Sequence, residues 1–129
     1  MTTDPRPAAA APSAPALDAI AVARLRELDP SGEHGVVARV MVTFDSSLRR
    51  QLAQLEAGRG SANATAVAGI AHTLKSSSAS VGALGLAKAC AEIEARLRGG
   101  DASALQADID RMLVEGQAAL LAVAPMLPR

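Results

Sequence analysis

Along most of this chain apolar side chains return every three or four residues, the period of a single buried helix face. The pattern runs through Val37, Val40, Met41, Phe44, Leu48, Leu52 and Leu55, then through Val67, Ile70, Leu74 and Val81. It resumes with Leu86, Cys90, Ile93 and Leu97, and again with Leu105, Ile109, Met112, Leu113, Leu120 and Val123. Stretches rich in Val, Ile, Tyr and Thr, which strands favour, are missing. Phe44 is the sole aromatic residue, and the strong helix formers Ala and Leu dominate the apolar content. The expected fold is all-α: an antiparallel up-down four-helix bundle with a short additional N-terminal helix.

Turn signals place the boundaries. Residues 1–16, rich in Ala and Pro, are expected to form a disordered tail or linker, and residues 17–125 the helical domain. A short first helix is expected over Leu17–Leu28. Asp29-Pro30 reads as an N-cap and first helical residue, so the second helix is expected over about 30–57, stopped by Gly58-Arg59-Gly60. The third should begin between Ser61 and Thr65 and weaken near Gly82. The fourth is expected over Ala83–Arg98, with Gly99-Gly100 ending it and Asp101 capping the next, which Pro125 closes.

Composition excludes several classes. Thirteen basic and thirteen acidic residues cancel, so the electrostatic footprint of a nucleic-acid binder is missing. No apolar run reaches the length that spans a bilayer, and the N-terminus lacks a signal-peptide core. Cys90 alone forbids an internal disulfide and suits a reducing compartment. The chain is expected to be cytoplasmic and monomeric.

The stretch Ala71-His72-Thr73-Leu74-Lys75-Ser76-Ser77-Ser78-Ala79-Ser80-Val81-Gly82 departs from an ordinary helix surface. His72 projects roughly 170° from the centre of the stripe set by Val67, Ile70, Leu74 and Val81, at about 100° per residue. Ala68, Gly69, Ser76 and Ala79, with Lys75, are its expected neighbours on the outward face. Small neighbours let a large partner reach the ring. A nucleophilic imidazole must be neutral, which imidazole mostly is at neutral pH. Lys75, three residues on, can stabilise the charge of an acquired phosphoryl group.

His72-Thr73-Leu74-Lys75, the small residues after it and Ser80-Val81-Gly82-Ala83 resemble the histidine-containing phosphotransfer (HPt) domain family. Cys90-Ala91-Glu92-Ile93-Glu94 and Arg96-Leu97-Arg98-Gly99-Gly100-Asp101 match the family's later pattern. The resemblance implies a phosphocarrier rather than an enzyme. His72 would take a phosphoryl group from a receiver-domain aspartate and pass it to another receiver's aspartate, with Lys75 beside it. Receivers of response regulators or of a hybrid histidine kinase are the implied partners. The catalytic magnesium belongs to the receiver, so no cofactor or metal is implied here. The alternative is a helical adaptor that binds receivers without carrying phosphate.

Other residues read as structural. His34 is taken as surface and Cys90 as a core thiol. Glu92, Glu94, Arg96 and Arg98 are taken as a solvated charged face, and Ser77 and Ser78 as pointing coreward. Gly69 fits either clearance beside His72 or tight helix packing. A hydrolytic or metal enzyme would need several convergent acid-base groups, and the sequence offers none. Ser76 stands where the family usually has glycine. Ser76→Gly is expected to change the phosphotransfer rate only modestly, and a hundredfold gain in a receiver transfer assay would show that the hydroxymethyl group blocks the site.

Overall fold

In a computed structural model that describes residues 16–61 and 63–128, these stretches are helices. They are α1 (Ala19–Glu27), α2 (Val36–Ala57), α3 (Ala64–Val81), α4 (Leu84–Arg98) and α5 (Leu105–Val123), with a 3₁₀ turn over Ala124–Met126. No strand occurs among the described residues. The tail expected over residues 1–16 lies, apart from Ala16, outside them.

Side-chain caps set several of the starts. Asp18 accepts from Ala21 N at 3.1 Å to open α1, and Asn63 accepts from Ala66 N at 2.8 Å to open α3. Helix α2 departs from expectation, since it begins at Val36 and not at Pro30. Asp29 is buried, and its carboxylate accepts from both His34 N and Val36 N. It caps a helix seven residues away, across a turned segment, because those N–H groups otherwise lack partners. Asp101 is likewise not the cap of α5. It accepts from Ser103 N and Oγ in a local turn, and the helix starts at Leu105.

Helix α2 packs against α3 and α5, and α4 packs against the same two, so four helices enclose one core. Met41, Leu48, Leu74, Leu86, Ile93, Ile109 and Met112 fill it, with Phe44 and Val22 of α1 at its edges. Cys90 is fully buried there, and burial pushes its thiol up to about 12. Gly116 lets α5 close on α2, since a Cβ at that position would lie 2.6 Å from Leu52 Cδ2.

The tightest seam joins α3 to α4. Only Gly82 and Ala83 separate the two helices. Gly82 has φ +87°, and Ala83 N donates back to Ser78 O at 2.8 Å, closing the last turn of α3. The carbonyl of Gly82 accepts from Asp18 N at 2.8 Å, which pins the start of α1 onto the same corner. A Cβ on Gly82 would meet Asp18 N at 2.8 Å and would also force a left-handed conformation on an L-residue. Gly82→Ala should therefore destabilise the domain by at least about 1–2 kcal/mol, measured by urea denaturation.

Candidate functional site

Small residues let α3 and α4 approach closely. Ala71 and Ser78 are fully buried, Ala68 nearly so, and Ala89 and Cys90 of α4 are fully buried as well. They widen the buried stripe of α3 beyond Val67, Leu74 and Val81, toward the α4 side. His72 therefore stands about 125° from the stripe's centre, on the flank beside the seam, and not opposite it. Ala68 must be corrected: it is 4 % exposed and belongs to the core, although it lies one turn before His72. Ile70, expected in the stripe, is only half-buried, and Ser77 is half-buried while Ser78 is fully so.

The flank position brings His72 to a carboxylate. Glu94 on α4 is 6 % exposed and meets three donors. His72 Nδ1 lies 2.8 Å from Oε2, Lys75 Nζ donates to Oε1 at 2.6 Å, and Arg98 Nε donates to Oε2 at 2.8 Å. The Lys75 and Arg98 hydrogen bonds hold the Glu94 carboxyl far below the usual range, at about 2. An ionised carboxylate can only accept, so the proton on this edge of the imidazole sits on Nδ1. The neutral ring then carries its lone pair on Nε2, and the His72 side chain is 61 % exposed. One carboxylate against two side-chain cations leaves the cluster with net positive charge beside the ring.

Glu94 was expected on a solvated face, and this is the site's main correction. It sits four residues after Cys90 and three before Leu97, within the apolar stripe of α4, and a carboxylate in such a stripe must find partners. The other three charges of the row do differ from it. Glu92 forms an outer pair with Arg111 at 2.7 Å, and Arg98 is exposed while reaching in to Glu94. Arg96 reaches the buried Asp108 of α5 at 2.8 Å, repeating the pattern of a carboxylate on a buried face met by an arginine.

The surface beyond the ring is low. Gly69, Ser76 and Ala79 are exposed. A Cβ on Gly69 would meet nothing within 4 Å, so no helix packing requires glycine there. Thr73, Ser77 and Ser80 return their hydroxyls to carbonyls of the preceding turn, at 3.2, 3.3 and 3.0 Å. The Ser76 hydroxyl forms no such bond among the described residues. Next to this face, Val40, Phe44, Ser77 and Ser80 line a shallow apolar groove between α2 and α3, with Arg39 at its rim. Among the described residues no helix is long and apolar enough to cross a membrane.

A protein-family model, the Hpt domain, matches residues 39–124, which include both α3 and α4. The chain belongs to the histidine-containing phosphotransfer domain family. Among solved structures it is similar to histidine-containing phosphotransfer protein B from Pseudomonas aeruginosa PAO1. The two are 29 % identical with a TM-score of 0.71, over 88 % of this chain and 96 % of that one. No curated protein matches the chain. Members of the family are phosphocarrier modules of phosphorelays and interact with receiver domains.

The depressed Glu94 carboxyl sets a pH dependence. Its folded value lies below the ordinary 4.5, so its stabilisation is complete above about pH 4.5 and is lost as pH falls toward 2. Glu94→Gln should flatten that acid limb in denaturation curves taken between pH 2 and 5. Nitrogen-15 spectra of the ring should show the Nδ1–H form in the native chain and a shift toward Nε2–H in Glu94→Ala.

Proposed function

We propose that this chain carries phosphoryl groups on His72, taking them from the aspartyl phosphate of one receiver domain and giving them to the aspartate of another. The observation that carries the proposal is the bond from His72 Nδ1 to ionised Glu94, which leaves Nε2 as the free nucleophile on an exposed ring. In the forward step Nε2 attacks phosphorus and the receiver's carboxylate leaves with the electrons of the broken P–O bond. The N–P bond places a positive charge on the imidazole ring, and the Glu94 carboxylate stabilises it through the retained Nδ1–H. The reverse step breaks the same N–P bond onto a fresh carboxylate, so no proton has to leave or enter the ring.

Lys75 and Arg98 supply cationic charge for the incoming phosphoryl oxygens while holding Glu94 in place. Gly69, Ser76 and Ala79 give the receiver its clearance, and the free hydroxyl of Ser76 is a donor within one turn of the ring. The groove beside Phe44 extends the docking surface onto α2. Such an interface is small and transient, as a carrier that serves two partners in turn requires. The neighbour relations of α2 to α5 support an antiparallel up-down bundle over residues 17–125, and the module acts without chemistry of its own beyond the carrier histidine.

Incubation with a phosphorylated receiver tests the reading. Acid-labile, alkali-stable label should appear on the wild type and vanish in His72→Gln. A wild-type chain that binds the receiver but never takes up label would establish a helical adaptor instead. Clearance is tested separately: Gly69→Ala should raise stability by up to about 1 kcal/mol, as for any exposed helical glycine. Gly69→Leu should keep the fold yet slow transfer about tenfold or more, the equivalent of about 1.4 kcal/mol.

A further inference from the structure

The two oxygens of Glu94 are not equivalent. Oε1 takes a single donor, Lys75 Nζ at 2.6 Å, while Oε2 takes two, Arg98 Nε and His72 Nδ1, each at 2.8 Å. The two cations also stand differently. Lys75 belongs to α3, three residues after His72 on the same side of the helix, and reaches Glu94 across the seam. Arg98 lies one turn after Glu94 on α4 and reaches it within a single helix. Their chemistry differs as well. Lysine offers one compact ammonium on a flexible stem, whereas arginine presents Nε–H and an adjacent Nη–H in a rigid fork that matches both oxygens of a carboxylate. Only Nε of that fork engages Glu94, and among the described residues the Arg98 Nη groups make no hydrogen bond.

We propose that the two cations have separate tasks: Arg98 is a positioning residue that keeps Glu94 on His72 Nδ1 throughout, and Lys75 is the mobile donor that leaves Oε1 for a phosphoryl group on Nε2. The inference rests on the carrier reading of His72. A phosphoryl group brings negative charge and acceptor oxygens to the ring, where they compete with Glu94 for Lys75. Lys75 answers by rotating its stem. The inward-facing carboxylate is then left with a bare Oε1, which is unfavourable. The Arg98 fork resolves the conflict: Nε stays on Oε2 while the adjacent Nη closes on Oε1 in place of Lys75. The Nδ1 bond sits on the oxygen that Lys75 does not touch, so the ring keeps its orientation while the donor changes. A lysine at position 98 would hold one oxygen only, and the exchange would pull the carboxylate away from Nδ1.

The test uses the full chain and phosphoramidate, which phosphorylates an accessible imidazole without any receiver. Nε2 forms the new bond to phosphorus, and ammonia leaves from the –NH₃⁺ form of the reagent with the electrons of the broken P–N bond. Nitrogen-15 spectra then follow three signals: His72 Nδ1–H, Lys75 Nζ and Arg98 Nε. On phosphorylation of the wild type, the Lys75 signal should shift while the other two stay in place. Arg98→Lys should keep the Nδ1–H form before phosphorylation, but afterwards that proton should exchange with solvent at least about tenfold faster than in the phosphorylated wild type. Lys75→Ala should retain the Nδ1–H form in both states. An effect confined to the phosphorylated state of Arg98→Lys is one that a merely structural arginine would not produce. An unmoved Lys75 signal, equal exchange in Arg98→Lys and wild type, or loss of the Nδ1–H form in Lys75→Ala would each overturn the proposal, as would a ring that phosphoramidate leaves unmodified. A chain that takes the group from phosphoramidate but never from a receiver would overturn the carrier reading alone, and the three signals would still decide this inference.

Discussion

Glu94 carries a charge on the inward face of α4, where an unpaired carboxylate is unfavourable, and donors from two helices answer it. Stability alone does not explain such an arrangement. A buried charge cluster can often be replaced by apolar residues of similar volume with no loss. What an apolar replacement would remove is the acceptor on His72 Nδ1, and with it the fixed tautomer. The cluster is thus best understood through the ring it orients. Lys75 and Arg98 keep the carboxylate ionised, the ionised carboxylate keeps the proton on Nδ1, and the free lone pair follows.

Two kinds of smallness act on α3, and they serve different ends. Ala68, Ala71 and Ser78 are small so that α4 can lie close enough for Glu94 to reach across the seam. Gly69 and Ala79 are small where α3 is exposed, and a Cβ on Gly69 would meet nothing within 4 Å. Glycine within a helix costs up to about 1 kcal/mol relative to alanine. Among the described residues no internal contact at Gly69 offsets that cost, which supports the clearance proposed for a partner.

Much of this was legible beforehand. The apolar period located α3 and α4 to within a residue or two, and His72, Lys75 and the small outward residues stood out from any ordinary helix face; α5 starts later than expected, at Leu105, because Asp101 closes a local turn and does not cap it. The errors on α3 and α4 share one cause. A stripe defined by large apolar residues alone ignores Ala and Ser, whose burial carries little hydrophobic signal, so the stripe of α3 was drawn too narrow and Ala68 was placed outside it. The same preference for large side chains hid Glu94, whose position between Cys90 and Leu97 marks it as inward-facing although its chemistry suggests the surface. The start of α2 was misplaced for another reason. Asp29 does cap that helix, but through a turn whose length no local propensity encodes.

The ring's orientation is held by a bond between helices and not within one. His72 and Lys75 belong to α3, while Glu94 and Arg98 belong to α4, and the two-residue corner at Gly82 and Ala83 fixes their register. A slip of α3 past α4 by one residue, about 1.5 Å, would break the contact. An α3 peptide alone would carry the motif yet present a ring with no fixed tautomer. The smallest transplantable unit is therefore the α3–α4 hairpin, and grafting the proposed carrier surface onto another scaffold means moving the corner with it.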